Sequence, residues 1–182
     1  GLLALRESVS RYVCRRTAVT YDPRNEIVVT VGGSEGIDLC LRSIIQPGDE
    51  VLIPQPSYVS YEPCAILANG TPVIIELKAE NEFRLTAEEL EAAITPKTKL
   101  LVLPFPNNPT GAIMERADLE AIAEVILKHD LYVLSDEIYS ELTYTDKHVS
   151  ICNLPGMKER TILINGFSKS HSMTGWRLGY AC

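Results

Sequence analysis

Lys169 is the residue whose surroundings point most directly to chemistry. It follows an apolar run at residues 161–164 and stands between two serines, Ser168 and Ser170. An amine that is partly withdrawn from water loses its proton more readily, and the neutral amine can attack a carbonyl group to form a Schiff base. Because most lysines are solvated surface charges, an ordinary loop lysine is the competing interpretation until its companions are considered.

Two polar segments follow other apolar runs. Asp136 ends the run at 132–136, where an acid is costly unless it meets a cation or a hydrogen-bond donor, and Tyr139 lies just beyond it. Asn108 lies in segment 104–111, whose prolines stiffen the chain and would present this amide on a rigid loop. The alternatives are that Asp136 caps a following helix and that the second segment is an ordinary proline-rich turn.

An anion site is indicated by Gly33, Ser34 and Glu35, which lie between an apolar run and an amphipathic segment. Free N–H groups in the first turn of a helix attract phosphate, although Ser34 could instead act only as the helix N-cap. Arg177 could clamp a phosphate with two hydrogen bonds, or it could form a structural salt bridge.

Tyr58 completes the set, because it follows another apolar run and could stack its ring on a planar heterocycle. A core or surface tyrosine is the alternative when this residue is taken alone. Together these residues offer an anion cradle, a stacking ring, an acid, hydroxyl and amide donors and a reactive amine. Pyridoxal 5′-phosphate has a matching phosphate, flat pyridine ring, basic ring nitrogen, phenolic oxygen and aldehyde. The sequence therefore predicts a site for this cofactor, with Lys169 as the Schiff-base lysine.

The elements that must position these residues alternate along the chain. Helix-spaced apolar residues recur at 37–44 and 119–126, and Thr86 begins a capping box with Glu89. Such alternation predicts a largely parallel, right-handed α/β sheet, in which ligands bind beyond the carboxyl ends of the strands. The predicted strands are mostly continuous Val, Ile and Leu runs and span 27–31, 50–54, 72–77, 99–103, 132–136, 161–166 and 177–181.

Composition argues against several other classes of protein. The chain has 182 residues, a net charge of −7 and a pI near 5.0, which disfavour a nucleic-acid or anionic-membrane partner. No apolar run approaches the roughly 18 residues of a membrane span. The five cysteines and three histidines show no ligand spacing, so no metal site is predicted, and reduced thiols are typical of a cytoplasmic protein.

Over its whole length the chain resembles the class I/II aminotransferases of the fold-type I pyridoxal-phosphate superfamily. The most specific segments are Asn-Asn-Pro-Thr-Gly at 107–111, Ser-Asp-Glu-Ile-Tyr at 135–139, and 166–180, which contains Gly-Phe-Ser-Lys and Met-Thr-Gly-Trp-Arg. The resemblance implies a three-layer α/β/α fold with a mostly parallel seven-stranded sheet, the large domain of these enzymes.

The resemblance also implies a role for each candidate residue. Lys169 would hold the cofactor and later move the substrate proton, and Asp136 would keep the pyridine nitrogen protonated. Asn108 and Tyr139 would donate hydrogen bonds to the phenolic oxygen. The remaining contacts would be Tyr58 with the ring, and the backbone of Gly33, Ser34 and Glu35 together with Ser168 and Arg177 with the phosphate.

Two departures accompany the resemblance. Many members have a serine three residues before the lysine, where this chain has Gly166, so one phosphate hydrogen bond would be missing or supplied by water. Members are also much longer, with an N-terminal arm and a C-terminal small domain that supplies the arginine for the substrate carboxylate. We therefore interpret residues 1–182 as a truncated pyridoxal-phosphate-binding large domain without its small domain, and expect the isolated chain to be inactive.

The implied activity is ping-pong transfer of an amino group between an amino acid and a 2-oxo acid by a cytoplasmic homodimer. The amino acid is left open between aspartate, alanine, aromatic and diaminopimelate types. The alternatives are a carbon–sulfur lyase on the same fold and an aminotransferase-like sensor domain of a transcription regulator.

Overall fold

A sheet of seven strands forms the centre of the computed structural model, which describes residues 1–144 and 148–182. The strand order is β1-β7-β6-β5-β4-β2-β3, and within the described ranges only β7 runs antiparallel to its neighbours. The predicted seven-stranded, mostly parallel sheet is therefore confirmed. The strands are β1 (Val28–Thr30), β2 (Glu50–Gln55), β3 (Thr71–Glu76), β4 (Thr98–Leu103), β5 (Tyr132–Asp136), β6 (Thr161–Gly166) and β7 (Gly179–Ala181).

Helices cover both faces of this sheet, as the three-layer fold requires. The described helices are α1 (Leu3–Thr17), α2 (Gly32–Ile44), α3 (Tyr61–Leu67), α4 (Ala87–Ala93) and α5 (Arg116–Lys128). Successive side chains of a strand point to opposite faces, and in β2 Ile53 packs with α2 and α3 whereas Leu52 packs with α4 and α5. Leu163 of β6 packs with α1. Within the described ranges no helix has both the length and the apolar character to cross a bilayer.

The predicted helix signals at α2, α4 and α5 are confirmed. Ile37, Cys40 and Leu41 lie on the buried stripe of α2. The capping box of α4 forms as expected, because Thr86 Oγ1 accepts a hydrogen bond from Glu89 N at 3.2 Å and Glu89 Oε2 accepts one from Thr86 N at 3.2 Å. These bonds satisfy two backbone donors that the start of a helix leaves unpaired.

Strand boundaries match the predictions at β5 and β6 but not at β1 and β7. The predicted strand at 177–181 is too long at its start, because Arg177 adopts a left-handed conformation with φ 49° after a 3-10 turn at Thr174–Trp176. The predicted strand at 27–31 is also too long, since Val31 already forms the N-cap of α2. Both differences lie where the chain turns toward the same edge of the sheet.

Candidate active site

The predicted residues converge at one edge of the sheet. The parallel strands end at this edge and β7 begins there, so segments that are distant in sequence meet. The cavity at this edge has a volume of about 250 Å³, close to the lower end of the roughly 300–1,000 Å³ that small-molecule sites occupy. Of the ten predicted residues, nine line it: Gly33, Ser34, Tyr58, Asn108, Asp136, Tyr139, Ser168, Lys169 and Arg177.

Lys169 lies in the turn after β6, with Nζ 5.5 Å from the centre of the Tyr139 ring. The ring face attracts the ammonium group and holds it beside the cavity. The side chain is exposed, so the prediction that this amine is partly withdrawn from water is wrong for the structure. The reason is its position three residues past the last residue of β6, beyond the packed layers.

Asp136 is the buried acid of the site, with 6% of its surface exposed. Its Oδ2 accepts a hydrogen bond from the Tyr61 hydroxyl at 2.7 Å, and its Oδ1 accepts one from the backbone N–H of Ile138 at 3.2 Å. Burial raises the pKa of Asp136, while these two bonds favour the charged form and lower it. The residues that follow form a turn, so the helix-capping alternative for Asp136 is wrong. A cation bound in the cavity would relieve the cost of this buried charge.

Tyr61 is a site residue that the sequence reasoning missed. Its ring meets the Tyr58 ring edge to face, with 5.7 Å between centroids, so Tyr61 contacts both the predicted stacking residue and Asp136. The three-residue spacing from Tyr58 to Tyr61 was the available signal, since residues so spaced lie close together across a turn, and here the Tyr61 N–H donates to the Tyr58 carbonyl oxygen at 3.3 Å. Thr174 was also missed, although it lies in a quoted motif; it lines the cavity and its hydroxyl donates to the Ser168 carbonyl oxygen at 2.9 Å.

The first turn of α2 forms the anion-attracting end of the cavity. The N-cap is Val31, which offers no side-chain cap, so the alternative that Ser34 caps the helix is wrong. Glu35, whose backbone was predicted to face the phosphate, does not line the cavity. Its side chain closes the start of the helix, where Oε2 accepts the Val31 N–H at 2.5 Å. The N–H groups of the turn and the helix dipole favour an anion beside Gly33 and Ser34.

Arg177 brings a positive charge to the same end. Its Nη1 donates to the Thr174 carbonyl oxygen at 3.0 Å, a backbone contact rather than the salt bridge that the sequence left open. The guanidinium lies against Gly32, where a Cβ atom would fall 2.4 Å from Nη2. The N-terminus of α2 and the Arg177 guanidinium therefore both attract an anion at the same end of the cavity.

Close backbone packing at this edge accounts for Gly166. A Cβ atom on Gly166 would lie 2.9 Å from Gly179 Cα and 3.0 Å from the Leu178 carbonyl oxygen, so a serine would not fit without moving β7. A Cβ atom on Gly179 would in turn lie 2.5 Å from the Gly32 carbonyl carbon. The start of α2 rests directly on β7.

Replacing Gly179 by alanine should destabilise the fold by about 1–3 kcal/mol, the usual cost of overpacking. The added methyl group must displace the first turn of α2. Urea unfolding measures this loss, and Gly175→Ala is the matched control because nothing lies within 4 Å of its Cβ position. Equal stability of the two variants would contradict the close packing.

Comparisons with known proteins extend this description. The family model described as "Aminotransferase class I and II" matches residues 1–182. The "Putative aminotransferase YugH" of Bacillus subtilis (strain 168) is 50% identical over 181 residues, which cover 100% of this chain and 47% of that protein. "Aromatic-amino-acid aminotransferase 2" of Thermococcus litoralis is 48% identical, with coverage of 99% and 46%.

The fold agrees with a crystal structure as well. The aromatic aminotransferase from Pyrococcus horikoshii OT3 matches with a TM-score of 0.98 at 45% identity, covering 100% of this chain and 49% of that chain. The chain spans about half the length of the curated relatives it matches. Since the family model matches every residue, the chain belongs to the class I and II aminotransferases.

Proposed function

We propose that the chain is the pyridoxal 5′-phosphate-binding large domain of an enzyme that transfers an amino group between an amino acid and a 2-oxo acid. The observation that carries the proposal is the meeting of a lysine amine, a buried acid and a helix N-terminus at one cavity. The named relatives are aminotransferases, which favours amino-group transfer over the carbon–sulfur lyase and the sensor domain.

The residues of the cavity fit this cofactor. The described contacts of the Asp136 carboxylate are a hydroxyl and a backbone N–H, and a protonated ring nitrogen would add the positive charge that its burial favours. The first turn of α2 and Arg177 suit the phosphate. The ring of Tyr58 suits a flat heterocycle, and Asn108 and the Tyr139 hydroxyl are the donors available to its phenolic oxygen.

Three residues of the chain would have separate roles in the reaction. When bound, the cofactor supplies an aldehyde that takes the amino group and a protonated ring that withdraws electrons from the α-carbon. Lys169 Nζ would hold the cofactor between turnovers and, once displaced by the substrate amine, would take up the α-proton and deliver it to the carbon that carried the aldehyde. The Tyr139 ring keeps Nζ near the cavity, and the Asp136 carboxylate would hold the proton on the ring nitrogen.

Cofactor titration followed by a panel of amino donors tests the proposal in the full-length protein. We expect an absorbance change as pyridoxal 5′-phosphate binds and formation of a 2-oxo acid from aspartate, alanine, aromatic or diaminopimelate-type donors. Absence of cofactor binding would refute the proposal, and cystathionine cleavage without amino-group exchange would favour the lyase. A helix-turn-helix segment upstream would favour the sensor.

Tyr61→Phe should lower kcat about tenfold, the equivalent of losing a hydrogen bond to a charged group. Without the hydroxyl, the pKa of Asp136 rises further, so the carboxyl competes more strongly for the proton that it should leave on the ring nitrogen. Steady-state kinetics of the loaded protein measure the effect. Tyr58→Phe is the control, because it removes the neighbouring hydroxyl and leaves the bond to Asp136 intact; a loss of kcat equal in both variants would contradict the role of Tyr61.

A cytoplasmic homodimer is part of the same proposal. Val31, Val59 and Trp176 expose 57%, 82% and 76% of their surfaces, and each lies within two residues of a cavity-lining residue in the sequence. Exposed apolar side chains of this size are candidates for a contact with another subunit. The cysteines are free thiols, as in proteins of a reducing compartment. Sedimentation of the full-length protein tests the dimer.

A further inference from the structure

A buried polar network centred on Glu137 lies directly behind the cavity. Glu137 stands in sequence between the cavity residues Asp136 and Ile138, but its own side chain packs on the other side, toward α1. The side chain is 2% exposed. Its Oε1 accepts hydrogen bonds from Ser135 Oγ at 3.0 Å and Ser150 Oγ at 2.6 Å, and its Oε2 lies 2.8 Å from His148 Nε2.

The same region joins the turn after β5 to the end of β6. The backbone N–H of Glu137 donates to the Ile164 carbonyl oxygen at 2.8 Å, and the N–H of Ser140 donates to the Glu137 carbonyl oxygen at 2.9 Å. The Ser140 hydroxyl accepts a hydrogen bond from Asn165 Nδ2 at 3.1 Å. The turn that presents Asp136 and Tyr139 is thus tied to the strand that leads to Lys169.

Burial of an acid at this position needs a reason beyond packing. A buried carboxylate is costly unless hydrogen bonds satisfy it, and apolar residues of similar size would pack without that cost. The space beside Glu137 is only about 10 Å³, at the limit of what one water molecule requires. Solvent therefore has little room to hydrate the carboxylate, so the serine hydroxyls and the imidazole are its partners.

We propose that Glu137 is a positioning residue, which sets Asp136 and Tyr139 relative to Lys169 through its directional hydrogen bonds. The inference rests on the proposed function, because it concerns the geometry of that reaction. Glu137 does not line the cavity, so it acts through its neighbours. A glutamine has the same length, can accept from the two serines and can donate its amide N–H to a neutral His148, so it should preserve the geometry.

The test compares Glu137→Ala with Glu137→Gln in the full-length protein loaded with pyridoxal 5′-phosphate. We expect Glu137→Ala to lower kcat at least about tenfold with little change in KM, since a displacement of about 1 Å can cost a hundredfold in rate. The circular dichroism of the bound cofactor, which reports its orientation, should weaken in parallel. Glu137→Gln should restore both to within about threefold of the parent.

Ile126→Ala is the control for lost stability alone, because Ile126 is fully buried in the separate core beneath α5. An equal loss of kcat and of the cofactor signal in this control would overturn the inference, as would parental values in Glu137→Ala. If Glu137→Ala does not fold, Ser150→Ala removes one bond to the carboxylate; it should lower kcat about threefold, and unchanged kcat would overturn the inference. A parent protein without cofactor binding would instead refute the proposed function.

Discussion

Replacing Lys169 by alanine is expected to abolish covalent retention of pyridoxal 5′-phosphate and to lower turnover at least about a thousandfold. The cavity would keep its helix terminus, Arg177 and Asp136, so the cofactor should still bind reversibly. Treatment with borohydride followed by mass spectrometry measures the covalent part, because reduction fixes the cofactor on the lysine of the parent protein. The loss of turnover is measured as the rate of 2-oxo acid formation from one amino donor.

Two further variants test whether Lys169 acts through its covalent chemistry or only through its positive charge. Lys169→Arg keeps a cation over the Tyr139 ring but cannot bond covalently to the cofactor, so it should lose turnover as alanine does. Lys99→Ala removes a lysine that also lies over a tyrosine ring, 5.1 Å from the centre of Tyr132, and should leave turnover unchanged. Covalent labelling of Lys99, or turnover in Lys169→Ala, would contradict the assignment.

The fold could be predicted from sequence where strands are covered on both faces. The runs that form β5 and β6 are continuous and apolar, and they end where a polar or glycine residue meets the open edge. Helix α1 was not predicted, because its buried residues are Val9, Ser10, Val13 and Thr17 and give no apolar stripe. The left-handed backbone conformation of Arg177 could not be predicted either, because a hydrophobic pattern does not report backbone dihedral angles.

The members of the site could be predicted more fully than their contacts. Residues that follow strand ends meet at the same edge, so Asp136, Lys169 and Arg177 could be grouped without coordinates. The bond from Tyr61 to Asp136 joins residues 75 positions apart and depends on how α3 lies over the sheet. The exposure of Lys169 likewise depends on the turn around it, which residue types do not specify.

Asp136→Asn should stabilise the cofactor-free protein at neutral pH while lowering turnover of the loaded protein at least about a hundredfold. Burial raises the pKa of Asp136, so the native state binds a proton more tightly than the unfolded chain does. Ionising the carboxyl therefore costs native stability as pH rises, and this cost is absent below about pH 4, the ordinary value for an unfolded aspartate. Asparagine avoids the cost, but its neutral amide cannot hold a proton on the ring nitrogen.

Urea unfolding at pH 7 and pH 4, together with turnover, separates the two effects of the Asp136→Asn exchange. The gain in unfolding free energy should appear at pH 7 and vanish at pH 4. Asp130→Asn is the control: its side chain is 89% exposed, so losing its ion pair with Arg160 should cost at most about 1 kcal/mol, with no gain at pH 7 and no change in turnover. Asp136→Ala should lose turnover without the gain in stability, because it leaves the buried Tyr61 hydroxyl without its acceptor. Stabilisation of equal size at both pH values would show that the buried charge of Asp136 is not the cause of the gain. Near-parental turnover in Asp136→Asn or Asp136→Ala would show that the reaction does not depend on this carboxylate.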